Sequence, residues 1–144
     1  MNGARMSALR GWRYAWAAPC SAVGLILGLV AWLYGATVRV RAGALEFGGG
    51  RAGALAARLP APCAFSAITF GHVILGTDHA TLAAVRAHEQ VHVRQYERWG
   101  LLFFPAYLLS SAVQLVRGGD PYLDNWFERE ARALASAMPS HRTP

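Results

Sequence analysis

"FSAITFGHVILGTDHATLAAVRAHEQVHVRQYERWG", residues 65–100, decides how this chain is read. Its first third, residues 65–76, is rich in Ile, Val, Phe and Thr and closes on Gly76, the composition of a β-strand. Thr77 or Asp78 then stands where a helix N-cap belongs, and Leu82, Val85, His92, Gln95 and Trp99 share a broad stripe of a helix running to about Trp99. Gly100 is placed to end that helix. On it, His88 and His92 fall four apart with Glu89 directly after the first histidine. Positions i and i+4 lie one turn apart on the same face, so the two imidazoles can grip one metal ion, while Glu89 is rotated by ~100° and is free of the ligand set. A zinc ion held by three protein groups keeps one position open and brings the pKa of its water to about 7, and a carboxylate beside it is placed as general base.

Two histidines leave a third ligand to be found. "NWFEREARALA", residues 125–135, opens a predicted helix from about Trp126 to Ala137 and carries Glu128 and Glu130. Asn125 followed three residues later by Glu128 also spells a capping box, and acids suit a first helical turn. With His88 and His92 upstream, ligation is favoured, because nothing else in the chain supplies a third ligand as naturally. His141 is near the terminus, and His72 and His79 lie upstream, on or after the strand.

"HEQVHVRQYERWG", the following "PAYLLSS" and "DNWFEREA" together resemble a group of small bacterial membrane-anchored, zinc-metallopeptidase-like proteins, similar in plan to the gluzincins. The resemblance covers roughly residues 65–137. It implies one Zn2+ per chain, His88, His92 and a downstream glutamate as ligands, Glu89 as base, and a peptide or protein substrate. The glutamate helix of gluzincins often reads Glu-x-x-Ala-Asp with the first Glu as ligand; "EREAR" matches at Glu128 and Ala131, which favours Glu128 over Glu130. Arg132 stands where the family's Asp, a support for a zinc histidine, would be; Asp124 or Glu130 is the available substitute. The same plan makes the strand before the active helix an exposed sheet edge on which extended substrates pair. Here that edge is Ile68 to Leu75, with Ile68, Phe70, His72, Val73 and Ile74 along it, and His72 is a surface or supporting histidine in preference to a ligand. Tyr107 or Tyr122 would donate to a tetrahedral oxyanion.

Upstream, "AWAAPCSAVGLILGLVAWLY", residues 15–34, has no charged side chain. Twenty residues at ~1.5 Å rise cover the ~30 Å hydrocarbon core of a bilayer, and Trp12, Tyr14, Trp16, Trp32 and Tyr34 crowd its ends as interfacial aromatics do. A signal peptide would have a shorter apolar region and small residues at its cleavage site, whereas Tyr34 and Pro19 occupy those positions here; an uncleaved anchor is preferred to it and to a buried core helix. Arginines flank the span on both sides, and the free amino terminus tips the orientation to N-in, with the rest of the chain extracytoplasmic at a bacterial inner membrane. "TVRVRAGALEF", residues 37–47, alternates as a strand interrupted at Gly43 by a turn or bulge, and a short helix is predicted around Ala52 to Leu59. Residues 101–116 form a second apolar run. Because His92 and Glu128 must share one side of the membrane, this run cannot cross it once; sixteen residues with Pro105 are also short, so it packs in the core or lies against the bilayer.

The net charge of +6 comes entirely from arginines, is spread along the chain, and has no basic run with interleaved aromatics. That argues against a nucleic-acid interface and fits attraction to anionic lipid. Cys20, in the predicted span, and Cys63, beyond it, are poorly placed to pair. The resulting expectation is α+β: a transmembrane anchor in residues 1–36, then a minimal zincin-like domain over residues 37–144, hydrolysing peptide bonds. The alternative class is a non-catalytic membrane module in which the same residues form a structural zinc site or a polar network.

Overall fold

The structure is a computed structural model that describes residues 3–60 and 65–138; Cys63 and His141 lie outside them. The chain is α+β. An apolar helix α1 (Gly3–Leu33) leads into β1 (Thr37–Arg41), β2 (Ala44–Gly48), a short helix α2 (Gly50–Ala56), β3 (Ala67–Phe70) and β4 (Val73–Gly76). Helix α3 (His79–Trp99) follows, then a single 3₁₀ turn at Gly100–Leu102, α4 (Phe103–Val116) and α5 (Trp126–Ala137).

The strands form one mixed sheet in the order β1-β2-β4-β3, antiparallel at both edges and parallel between β2 and β4. At the first hairpin Ala42 and Gly43 both take positive φ, 49° and 81°, the requirement of a two-residue turn whose twist matches the strands. The predicted break at Gly43 is this turn.

Residues 65–76 do not make one strand. Gly71 and His72 turn the chain between β3 and β4, with Phe70 paired to Val73. Gly71 has φ 59° and His72 is not in the left-handed region, the pattern of a turn with glycine at its first central position. The expected substrate edge from Ile68 to Leu75 is therefore corrected. Within this segment only β3, with Ile68 and Phe70, lies at an edge of the sheet. Val73 and Ile74 belong to β4, which is paired on both sides and buried, so neither has a backbone group to offer a substrate. His72 is at the turn and is also buried.

Helices cover both faces of the sheet. α3 packs on the face that carries Thr69, Ile74 and Glu46, where Ala44, Ile74, Leu82 and Val93 form a core with Ala67. The Asp78 carboxylate caps α3 by accepting from Thr81 N at 2.8 Å, and Gly100 ends it with φ 55°, as the sequence predicts. Glu46, fully buried on this face, is held by a two-pronged pair with Arg86 at 2.7 and 2.9 Å.

The opposite face is covered by α1. The helix buries a stripe of small residues, Ala17, Cys20, Gly24 and Gly28, spaced three and four apart. A Cβ at Gly24 would stand 2.7 Å from Val73 Cβ, and one at Gly28 would stand 2.6 Å from the Phe47 ring, so these glycines let the helix backbone approach the sheet closely. Polar contacts pin the same helix: His72 N donates to Ser21 Oγ at 3.0 Å, the His72 ring stacks on Tyr14 and its Nε2 lies 3.2 Å from Glu97 Oε1 on α3. The remaining faces of α1, with Val23, Leu25, Ile26, Leu29, Val30 and Leu33, are exposed.

Helix α4 is built with its polarity reversed. Ser110 and Ser111 turn inward: Ser111 Oγ accepts from Asn125 Nδ2 at 2.7 Å and Ser110 Oγ from Trp126 N at 2.9 Å. Its outward face is Phe104, Leu108, Leu109 (67% exposed), Leu115 and Val116 (88%). Of the two expectations for residues 101–116, packing in the core is corrected: only Phe103 of α4 is fully buried, with Tyr96, Phe127, Ala17 and Cys20 where α1, α3, α4 and α5 meet. Pro105 falls in the first turn of α4, where its missing N–H breaks no helical bond.

Candidate metal centre

Helix α3 crosses α5 so that one face of each supplies the site. His88 and His92 project from successive turns of α3, and Glu128 from the first turn of α5. Their ligand atoms converge: His88 Nε2 lies 3.0 Å from His92 Nε2 and 3.1 Å from Glu128 Oε2, and His92 Nε2 lies 3.3 Å from Glu128 Oε1. Ligand bonds of ~2.0–2.1 Å at tetrahedral angles separate ligand atoms by roughly 3.3 Å, so the triangle has the size a small divalent cation requires. Glu128 Oε2 is buried and receives no hydrogen bond of good geometry although His88 is beside it, the situation of an oxygen whose partner is a cation. The three residues thus form a group able to hold a metal ion.

The electrostatics suit that role. Burial alone would raise the Glu128 carboxyl; the His88 and His92 imidazoles beside it and the Tyr107 hydroxyl outweigh it and hold the group well below the usual carboxylate range. The side chain is therefore an anion at any working pH. Tyr107 Oη donates to Glu128 Oε1 at 2.8 Å, which fixes the carboxylate plane.

His92 is oriented by a residue that the sequence reading placed only in the helical stripe. His92 Nδ1 is 2.8 Å from Gln95 Oε1, and the Gln95 amide nitrogen donates to Phe127 O at 3.0 Å and to Glu130 Oε2 at 2.8 Å. With its nitrogen committed, the amide must present oxygen to His92, so the proton sits on Nδ1 and Nε2 keeps its lone pair for a metal. The usable signal was the spacing: Gln95 follows His92 by three, on the same helical face. Gln95→Leu is expected to weaken metal binding roughly 10–100-fold with the fold intact, as competition against a chelator of known affinity would read.

Glu130 and Asp124 lie away from the ligand triangle. Glu130 accepts from Gln95 and Arg98, so it supports His92 at one remove. Asp124 accepts from Asp120 N at 2.8 Å and organises the loop before α5. Asn125 caps α5, its Oδ1 accepting from Phe127 N at 2.9 Å. Glu128 does not complete the reciprocal half of a capping box: Asn125 N donates to Tyr122 O.

Glu89 is buried beside the triangle without joining it, its Oε2 accepting from Thr69 Oγ1 of β3 at 2.7 Å. A cavity of about 210 Å³ brings together His88, Glu89, His92 and Glu128 with Thr69 of β3, and Phe65, Ile68 and Phe70 complete its wall on the β3 side. Phe104, Tyr107 and Tyr122 close the other side. Burial, then the Glu128 and Glu89 charges, push the Tyr122 phenol up to about 12, so it is a proton donor near neutrality. No protein-family model, no curated protein and no solved structure matches the chain.

Proposed function

We propose that this chain is a membrane-anchored zinc metallopeptidase of gluzincin-like plan. The observation that carries the reading is the convergence of His88, His92 and Glu128 within 3.0–3.3 Å, next to a buried carboxylate and against the edge strand of a sheet. Two imidazoles and one carboxylate are a donor set suited to zinc, with one position left open. The bound ion would supply a polarised carbonyl and an acidified water. Glu89 would serve as general base, its carboxylate aimed by the Thr69 hydroxyl. β3 orients an extended substrate by backbone pairing along its outer edge. Tyr107 and Tyr122 both line the cavity and are the phenols available to a developing oxyanion, Tyr107 also donating to Glu128.

Membrane residence is part of the proposal. Gly11–Leu33 is long and apolar enough to cross a bilayer, as is the α3–α4 stretch His79–Val116 by length and composition. The apolar outward faces of α1 and α4 support contact with lipid, and α1 meets the 3₁₀ turn that leads into α4, where Trp16 and Cys20 pack on Gly100. His88, His92 and Glu128 sharing one centre keeps residues 88–128 on one side, so α4 lies in the lipid boundary without crossing it. The inner membrane and a single crossing by α1 complete the reading.

A metal-free polar network is the competing reading, favoured by the short His–Glu distances themselves. Elemental analysis of the protein purified without chelators decides between them. About one zinc per chain is expected, lost in His88→Ala; no stoichiometric metal in the wild type would refute the peptidase.

A further inference from the structure

A second cavity, of about 590 Å³, adjoins the metal site on the other face of the sheet. Its walls are Leu27 and Val30 of α1, Leu55 of α2 with Leu59 just beyond it, and Ile68 and Phe70 of β3. Among the described residues Arg51 is its only charged lining residue. Leu27, Val30, Leu55, Leu59 and Ile68 are all exposed, a concentration of open apolar surface inside a concavity. Phe65, Ile68 and Phe70 line both this groove and the metal cavity, so β3 is the partition between them.

Side chains of β3 alternate across that partition. Thr69 reaches Glu89 on the α3 face, whereas Ile68 and Phe70 face the groove under α1. β3 is the terminal strand of the sheet, and among the described residues no strand pairs with its outer edge. A chain added to that edge inherits the same alternation, because successive side chains of a strand point to opposite faces. Its backbone would run past Glu89, and every second side chain would drop towards Leu27, Val30 and Leu55.

We infer that the groove under α1 is the side-chain subsite of the substrate, which is an extended peptide segment with large apolar residues at alternate positions. The inference rests on the peptidase reading for the reaction, and on the groove's continuity with β3 for the occupant. An acyl chain would fill the same apolar space but leaves the backbone groups of the β3 edge unpaired, whereas a peptide satisfies both. A wall contributed by a bilayer-length helix further favours substrates already resident in the membrane.

The test uses full-length protein in detergent micelles and reads binding apart from turnover. A nine-residue peptide alternating leucine and threonine, with a diazirine on one central leucine, is photocrosslinked to the Glu89→Gln protein and mapped by mass spectrometry. Crosslinks are expected within residues 27–34 and 52–59, and a peptide with serine in place of every leucine should compete about 10- to 100-fold less well. Leu55→Arg, remote from the metal residues, should weaken peptide binding by a similar factor with unchanged zinc content and thermal melting. Crosslinks confined to the outer face of α4, or none, would overturn the inference, as would equal binding by Leu55→Arg. A photoactivatable fatty acid labelling the groove undisplaced by the peptide would assign it to lipid instead. Groove binding without hydrolysis by the wild type would leave this inference standing and remove the peptidase; hydrolysis indifferent to alternate leucines and to Leu55→Arg would do the reverse.

Discussion

Glu89→Gln is expected to retain about one zinc per chain and to lose turnover of a cleavable peptide by 10²–10⁴-fold, the contribution of a positioned general base. The three ligand atoms belong to His88, His92 and Glu128, so the amide leaves the metal's donors in place. It also keeps an oxygen able to accept from Thr69, which holds the local packing constant while removing the group that takes a proton. Rates and zinc content measured on the same preparations make the comparison. Equal cleavage by both proteins would place the base elsewhere, and loss of zinc in the variant would make Glu89 part of the binding site.

The second large effect separates two glutamates two residues apart. Glu128→Ala is expected to abolish stoichiometric metal binding, because it removes the anion that closes the triangle and strands the Tyr107 hydroxyl. Glu130→Ala should keep the metal and weaken it modestly, since Glu130 acts only through the Gln95 amide. Elemental analysis of the two variants suffices. Equal retention would reduce Glu128 to a helix-terminal acid, and the opposite ranking would move the ligand to Glu130.

The parts of this site that local spacing can encode were legible in the sequence. His88 and His92 are four apart on a helix with clear start and stop residues, and α3 begins and ends, and α5 begins, where capping residues stand. The hairpin inside residues 65–76 was not legible as an apolar run, because "AITFGHVILG" has β-type residues on both sides of Gly71-His72 and the turn adds only two residues. A glycine within such a run is the available clue, and it matters doubly here: Gly71 combines positive φ with a close approach to Ser21 that a Cβ would forbid. Length and hydropathy also read α1 as an anchor while saying nothing of the sheet it covers. The information lay in small residues at positions 17, 20, 24 and 28, a spacing that marks a packed face within an otherwise lipid-like sequence. The orientation of Gln95 depends on Phe127 and Glu130, more than thirty residues away, which no local pattern reports.

The close seating of α1 on the sheet also ties the burial of this helix to later parts of the chain. Gly24 meets Val73 and Cys20 meets Gly100, partners separated by 49 and 80 positions, so α1, synthesised before them, waits for the hairpin and α3 before its small-residue face is covered. Until then Phe47, Phe70 and Val73 have no cover on that side of the sheet. If α1 resides in lipid as proposed, its partitioning decides where the sheet can assemble, and a chain whose α1 is misdirected presents an uncovered apolar sheet face to chaperones and proteases.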